Sequence, residues 1–264
     1  MVNRQPILNQ FRHQFSLRLM SVLALLIVAF GWSTPVWAAN HLERNDAINP
    51  NLEKQVLQVI HQHPEAIWDS FQLYQSQQFE HQQKTQQALL QNLKSSPQSV
   101  IEQSPVSGAT AQKIVLLEFA DFQCPYCAKA HETVKQFMEQ HQKDVTLVFK
   151  HLPLAEIHPE AIPAAKAAWA ADRQGKFWQY QDALFAQQEQ LGEARYVAIA
   201  KTLGLDLQQF NQDRQSVTSD QLIQKDVELA EQLGVSGTPS FVMNGTVFSG
   251  AVPLSELNRV AGTM

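Results

Sequence analysis

The sequence predicts an α/β protein in which a β-α-β unit comes first, a block of helices follows, and a β-β-α unit closes the chain. Three observations carry this. Ile114-Val115-Leu116-Leu117-Glu118-Phe119 and Val145-Thr146-Leu147-Val148-Phe149 are near-continuous apolar runs, the pattern of strands buried on both faces. Between them, Ala128 to Gln140 carries Val134, Phe137 and Met138 on one helical side, so the two strands are expected to be parallel. Far downstream, Pro239 opens a further strand, Ser240-Phe241-Val242-Met243, and Asn244-Gly245 signals a type I′ hairpin into Thr246-Val247-Phe248.

The chain begins with an export-like leader. Arg4, Arg12 and Arg18 stand in a stretch without acidic residues, an apolar run follows from Leu19 to Trp32, and Val36-Trp37-Ala38 precedes Ala39 as an A-x-A-like cleavage site. Residues 1–38 therefore read as a signal peptide. An uncleaved anchor is the alternative, because the uncharged stretch from Leu19 to Asn40 is nearly long enough to span a bilayer. Either way the remainder is expected to be exported, to the periplasm or another extracytoplasmic space. Without the leader the chain loses three of its 20 basic residues and none of its 25 acidic ones, which leaves a formal charge near −8. That balance argues against nucleic acid or an anionic membrane surface as partner.

Residues 39–94 read as a helical segment. Leu52, Val56 and Val59 fall at helical spacing, and Ile67, Phe71 and Tyr74 repeat it after Pro64, which suits the first turn of a helix. The register then meets Gln78, His81 and Thr85, so a long coiled coil is weakly marked. Ile67, Trp68 and Phe71 are too apolar for a free surface. The segment is expected to pack either on a second copy, building a homo-oligomer through residues 50–94, or on its own catalytic domain. Residues 95–112, with Ser95, Ser96, Pro97, Ser104, Pro105, Ser107 and Gly108, have linker composition. The α/β domain then occupies 113–264, with a helical insertion at about 154–222. Its helices are expected at Ala161 to Ala171, Phe177 to Gln187, Ala194 to Leu203 and Leu207 to Asn211. Gln221 to Leu233 follows, closed by Gly234, and Leu254 to Val260 ends the chain.

The chemistry concentrates in Glu118-Phe119-Ala120-Asp121-Phe122-Gln123-Cys124-Pro125-Tyr126-Cys127, which holds both cysteines of the chain. A strand running into C-x-x-C at the first turn of a helix is the thioredoxin-type redox arrangement. The Cys124 sulfur would face unpaired N–H groups at the positive end of the helix, which favours its anion. Pro125 fits the first turn because it has no N–H to lose there. Cys127, one turn on, can reach back to close a disulfide. A structural zinc needs four ligands, and even with His131 the chain offers three nearby, while His131 is expected on a solvated helix face. A purely structural disulfide closes too small a loop to stabilise much. No metal and no organic cofactor is implied, since the cysteine pair carries the electrons itself.

With Glu118, Cys124-Pro125-Tyr126-Cys127, the helical insertion and Gly237-Thr238-Pro239 together, residues 113 to 260 resemble the DsbA-like exported thiol–disulfide oxidoreductases. The resemblance implies a thioredoxin fold with an inserted helical domain, preceded here by the N-terminal helical segment. His63-Pro64-Glu65-Ala66-Ile67 resembles the leading helices of the Com1 and suppressor-of-copper-sensitivity subgroup, which in some members build oligomers. Residue by residue, the resemblance makes Cys124 the exposed nucleophile and Cys127 the buried resolving thiol. Pro239 becomes the cis-proline opposite them, and Thr238 shapes substrate contacts and offers backbone groups to an extended substrate. Pro125 and Tyr126 lie in the same contact region. Glu118 matches the buried acid beneath the pair, where a carboxyl of raised pKa can relay the proton of Cys127. A salt bridge from Glu118 to Lys150 is the alternative. The Pro-Tyr dipeptide departs from the Pro-His of the strongest oxidants in the family, which implies a potential somewhat below theirs.

The activity expected is introduction of disulfides into cysteine-containing exported proteins. A quinone-linked membrane reoxidase of DsbB or vitamin-K-epoxide-reductase-like type would reset the enzyme. An isomerase or reductase kept reduced by an exported electron donor is the rival within the same chemistry. A binding or chaperone module with an inert disulfide is the rival outside it.

Overall fold

The computed structural model describes residues 49–262, so the leader of residues 1–38 lies outside the described residues. The chain divides into two compact units at Trp68 and Asp69. In the first, α1 (Pro50–Gln62) starts at a proline in its first turn and is capped by Asn49, whose side chain accepts from the Asn51 N–H at 3.0 Å. Leu52, Val56 and Val59 of α1 lie on the surface. Helix α2 (Pro64–Ser95) begins at the predicted proline, with His63 left between the two helices.

The second unit is built on a five-stranded mixed sheet. Strands β1 (Val106–Gly108), β2 (Ile114–Ala120), β3 (Val145–His151), β4 (Ser240–Met243) and β5 (Thr246–Ser249) stand in the order β1-β3-β2-β4-β5. Only β2 and β3 are parallel, as the helix between them requires; the other neighbours are antiparallel. Asn244 and Gly245 both take positive φ, 52° and 78°, the backbone that a two-residue type I′ hairpin needs.

The segment 95–112, expected as a linker, is instead structured. It holds a short helix, α3 (Gln98–Ile101), whose Val100 and Ile101 are buried, and the edge strand β1, which pairs with β3. The serine and glycine content misled because β1 contributes main chain rather than side chains. Gly108 has φ +88°, and a Cβ there would lie 2.4 Å from the Val145 carbonyl oxygen, so glycine is what lets this ribbon lie so close to β3.

The two faces of the sheet are covered by different helices. One face, with Leu116, Leu147, Phe241 and Met243, packs on α4 (Pro125–His141) and α10 (Leu254–Ala261). The other, with Val115, Leu117, Phe119, Val148 and Val242, receives Leu93 from the end of α2, Val100 and Ile101 from α3, and Ala230 from α9 (Val217–Gln232). So the last turns of the 50–94 segment do pack on the domain that follows, and the Gln86 amide donates to the Leu233 carbonyl at 2.5 Å.

Between β3 and α9 lie α5 (Ala161–Asp172), α6 (Phe177–Ala186), α7 (Glu193–Thr202) and α8 (Leu207–Arg214). Seven buried alanines of α5 let its neighbours approach closely, and Phe177, Tyr180, Leu184 and Phe210 fill the space around them. This cluster also contains Phe122, Cys124 and Cys127, so the insertion and the cysteine loop share one apolar core.

Candidate active site

Parallel β2 ends at Ala120, and the chain turns through Asp121-Phe122-Gln123 into α4. Asp121 shapes that turn. Its carboxylate accepts from the Gln123 N–H at 2.7 Å and the Leu154 N–H at 3.0 Å, and meets His158 Nδ1 at 2.7 Å. These bonds tie the loop before the cysteines to the segment after β3. Sequence reasoning passed over Asp121, although an aspartate accepting from the N–H two residues on is an ordinary Asx-turn signal. It also passed over His158.

Cys124 is the N-cap of α4, with extended backbone (φ −73°, ψ 120°), and Pro125 occupies the first turn. A side chain at an N-cap reaches the first free N–H groups of its helix, and here the side chain is a thiol. Cys127 is fully buried, and its sulfur accepts from the Asp121 N–H at 3.4 Å. Both thiols are free in this structure. Cys124 is only 4% exposed, which corrects the expectation of an exposed nucleophile. The cover comes from a distant part of the chain: Sγ is turned towards the Thr238 carbonyl, to which it donates at 3.5 Å while it carries its proton. Tyr126, next in the first turn, is open to solvent.

The Thr238–Pro239 bond is cis, and these residues lead into β4 beside β2, so the sheet brings them opposite the cysteines. The Thr238 hydroxyl is buried without a hydrogen-bond partner, and its presence beside the cysteines favours the anionic form of both sulfurs.

The two thiols are strongly unlike. Cys124 is lowered to about 5, first by a hydrogen bond from the Cys127 thiol, then, against the cost of burial, by the Thr238 hydroxyl and the N–H groups of Cys127 and Tyr126. Cys127 is raised far above the ordinary thiol range, first by burial and then by its bond to Cys124. One sulfur is a stable thiolate and leaving group; the other strongly prefers its proton.

Glu118 is fully buried, and neither carboxylate oxygen has a hydrogen-bond partner. Burial pushes it up to about 8. The alternative of a salt bridge to Lys150 does not form. Glu118 is in register with Phe149, so Lys150, one residue on, points to the opposite face of the sheet. There its Nζ donates to Asp226 Oδ1 at 3.0 Å, and Asp226 Oδ2 accepts from the His151 N–H at 2.9 Å. Glu118 instead lines a cavity of about 270 Å³ with His131, Lys135, Trp178, Gln181 and Asp182. The Gln181 amide nitrogen is likewise buried without a partner, so the cavity is polar and roomy enough for water.

His131 departs from the solvated face expected for it. It is 5% exposed, packs on Phe185 with ring centroids 4.8 Å apart, and its Nε2 meets Asp182 Oδ1 at 2.8 Å. Its helical spacing to Cys127, Val134 and Met138 is the signal that would have placed it inside. Among the described residues no cluster of three or more His, Cys, Asp or Glu is arranged to hold a metal ion.

A family model described as Thioredoxin matches residues 99–261. Among solved structures, a thioredoxin-like oxidoreductase from Silicibacter pomeroyi is 29% identical, with a TM-score of 0.55, over 62% of this chain and 94% of that one. The catalytic domain of Proteus mirabilis ScsC is 26% identical, with a TM-score of 0.55, over 65% and 95%. The thiol–disulfide exchange protein alpha-DsbA2 from Wolbachia pipientis shares the fold at 21% identity and a TM-score of 0.58, over 68% and 95%. Among curated proteins, the Na(+)/H(+) antiporter NhaA 3 of Salinispora tropica is 37% identical over 153 residues, 58% of this chain and 23% of the antiporter. The chain thus spans about a quarter of the length of the curated relatives it matches.

Proposed function

The chain belongs to the thioredoxin family, and on that premise we propose that it is an exported thiol–disulfide oxidoreductase that introduces disulfides through Cys124 and Cys127. Family, fold and paired thiols together support a thiol–disulfide oxidoreductase. The observation that carries the direction is the asymmetry of the pair: a Cys124 thiolate held at about 5 beside a Cys127 that keeps its proton. A stabilised thiolate favours the reduced enzyme and so makes the disulfide an oxidant.

In the forward reaction a substrate thiolate attacks Cys124 Sγ of the oxidised enzyme. The Cys124–Cys127 bond breaks, a mixed disulfide forms, and Cys127 leaves with the electron pair. Its high proton affinity calls for a proton at once. Glu118, protonated at neutral pH, is proposed as the source, and the cavity it lines would let water restore its proton. A second substrate thiolate then attacks the substrate sulfur, and Cys124 leaves as the stabilised anion. The substrate loses two electrons, and the cysteine pair gains them. Pro125, Tyr126, Thr238 and Pro239 would frame the substrate chain, which fits the exposure of Tyr126 next to the covered Cys124.

The proposed partners are cysteine-containing exported proteins and a quinone-linked membrane reoxidase of the DsbB or vitamin-K-epoxide-reductase-like type. No cofactor beyond the disulfide is required. The antiporters' transport is not carried over, because the match covers only a quarter of them. Export predicts that the protein is recovered outside the cytoplasmic fraction. No helix among the described residues is long and apolar enough to cross a membrane.

Mixing the oxidised protein with a reduced dicysteine peptide at pH 7 tests the direction. The expected result is one peptide disulfide formed per Cys124–Cys127 pair reduced. A peptide that stays reduced would move the reading to a reductase or isomerase. The surface residues Leu52, Val56 and Val59 of α1 favour that second reading in one respect, since a second copy would cover them and oligomeric enzymes suit isomerisation. Light scattering decides the point: a homo-oligomer gives a multiple of the chain mass, and Leu52→Glu with Val56→Glu returns it to one chain.

A further inference from the structure

We propose that Gln188 is a positioning residue for the reactive cysteine, gripping from the helical insertion two carbonyls of its loop, that of Phe122 and that of Cys124 itself. The proposal rests on the thiol–disulfide reading for its biological use, but its geometry stands apart from that reading.

Gln188 opens a single 3-10 turn (Gln188–Gln190) just after α6. Phe185, near the end of α6, packs on Phe122 with ring centroids 5.1 Å apart, which seats this turn against the loop before the cysteines. From there Nε2 of Gln188 donates to the Phe122 carbonyl at 2.8 Å and to the Cys124 carbonyl at 2.9 Å. A primary amide has two N–H groups, and both are spent on this one loop.

The second bond has unusual leverage. Pro125 has no N–H, so the Cys124–Pro125 peptide can be held only by its carbonyl. The direction of that carbonyl is set by ψ of Cys124, the same angle that makes the residue an extended N-cap. Within the helix the carbonyl accepts from Cys127 N–H at 3.0 Å and, more loosely, from Ala128 N–H at 3.3 Å. Both of those bonds belong to a first turn that can fray. Gln188 adds a bond from outside it. Gln123 and Asp121 also anchor the loop, through the Glu160 N–H at 2.7 Å and the Leu154 N–H at 3.0 Å, and the Asp121 carbonyl accepts from the Cys124 N–H at 3.1 Å, but neither residue reaches the Cys124 carbonyl. Without the amide, the carbonyl can rotate and carry Sγ away from the N–H groups that favour its anion. Gln188 is therefore a setting for the thiolate and not only a packing contact.

The test is Gln188→Met, nearly isosteric and without donors, in the full-length reduced protein. The pH profile of Cys124 alkylation by iodoacetamide is followed by mass spectrometry. The expected result is a midpoint shifted to higher pH and, at pH values below the midpoint, alkylation slower by about fivefold, the factor that one hydrogen bond of about 1 kcal/mol represents. Gln188→Glu, whose carboxylate cannot donate and adds negative charge beside both carbonyls, is expected to shift the midpoint further in the same direction. It decides the question if Gln188→Met does not fold. Profiles that coincide with the unsubstituted protein, whatever happens to Tm, would overturn the proposal. Alkylation needs no protein substrate. A chain whose alkylation shifts as expected but which oxidises no peptide would remove the functional reading and leave the role of Gln188 standing.

Discussion

Cys124→Ser is expected to bring disulfide exchange with a reduced peptide down to the uncatalysed rate, a loss on the order of 10³-fold or more. Serine is close to cysteine in size and is itself a favoured N-cap residue for α4, so circular dichroism and Tm should change little and the loss is chemical. Cys127→Ser has a different signature. Cys124 remains a thiolate and attacks an oxidised substrate, but no second thiol is present to release it, so a stable mixed disulfide accumulates and is visible on a non-reducing gel. Cys127→Ala goes further, because the bond from the Cys127 thiol is the largest influence lowering Cys124. Its alkylation midpoint should therefore rise above about 5. A binding module with an inert disulfide would keep its function through all three substitutions.

Glu118→Gln is expected to stabilise the oxidised protein, by an amount that depends on pH. In the folded chain the carboxyl sits at about 8, against 4.5 for the free group. A group raised in this way binds more protons folded than unfolded between those two values, so stability is lost as pH climbs through that window. The cost is absent at pH 4.5, about 3 kcal/mol at pH 7 and about 5 kcal/mol above pH 8, as orders of magnitude. Glutamine is neutral throughout and escapes it, so the two proteins should unfold alike in urea at pH 4.5 and diverge as pH rises. Equal stability at pH 8 would mean that Glu118 is solvated or paired. His151 works in the opposite sense. It is buried with both ring nitrogens unpartnered and is depressed to about 3 by burial and then by Lys150. Its contribution is present above pH 6.5 and is lost as pH falls towards 3. From these two groups the oxidised protein is most stable between about pH 4.5 and 6.5, where their slopes cancel. Stability carried by Glu118→Gln comes at the expense of the proposed proton supply to Cys127, so exchange should slow in the same variant.

Much of this site was legible before any coordinates. The apolar runs at Ile114 and Val145, the spacing of Cys124 and Cys127, and Asn244-Gly245 are local signals, and local signals survive in a linear sequence. What escaped depends on partners far away in the chain. Lys150 meets Asp226 across 76 positions, and Gln188 reaches Cys124 across 64. Nothing near Gln188 distinguishes it from the other glutamines around it. β1 escaped for another reason: an edge strand of three residues pairs through its backbone, and its composition reads as linker. The exposure of Cys124 was carried over from resemblance, and the Thr238 carbonyl that covers the thiol comes from the far end of the chain. Lys150 as a partner for Glu118 failed on strand alternation alone, which the register of β2 on β3 makes plain.

On the proposed function, a stabilised Cys124 thiolate would make the pair an oxidant. The reduction potential of the Cys124–Cys127 couple, measured against a glutathione buffer at pH 7, tests it most directly. The expected value lies between about −120 and −180 mV, the range from DsbA to protein disulfide isomerase. A thioredoxin-like value near −270 mV would contradict it, and would make the same site a reductant.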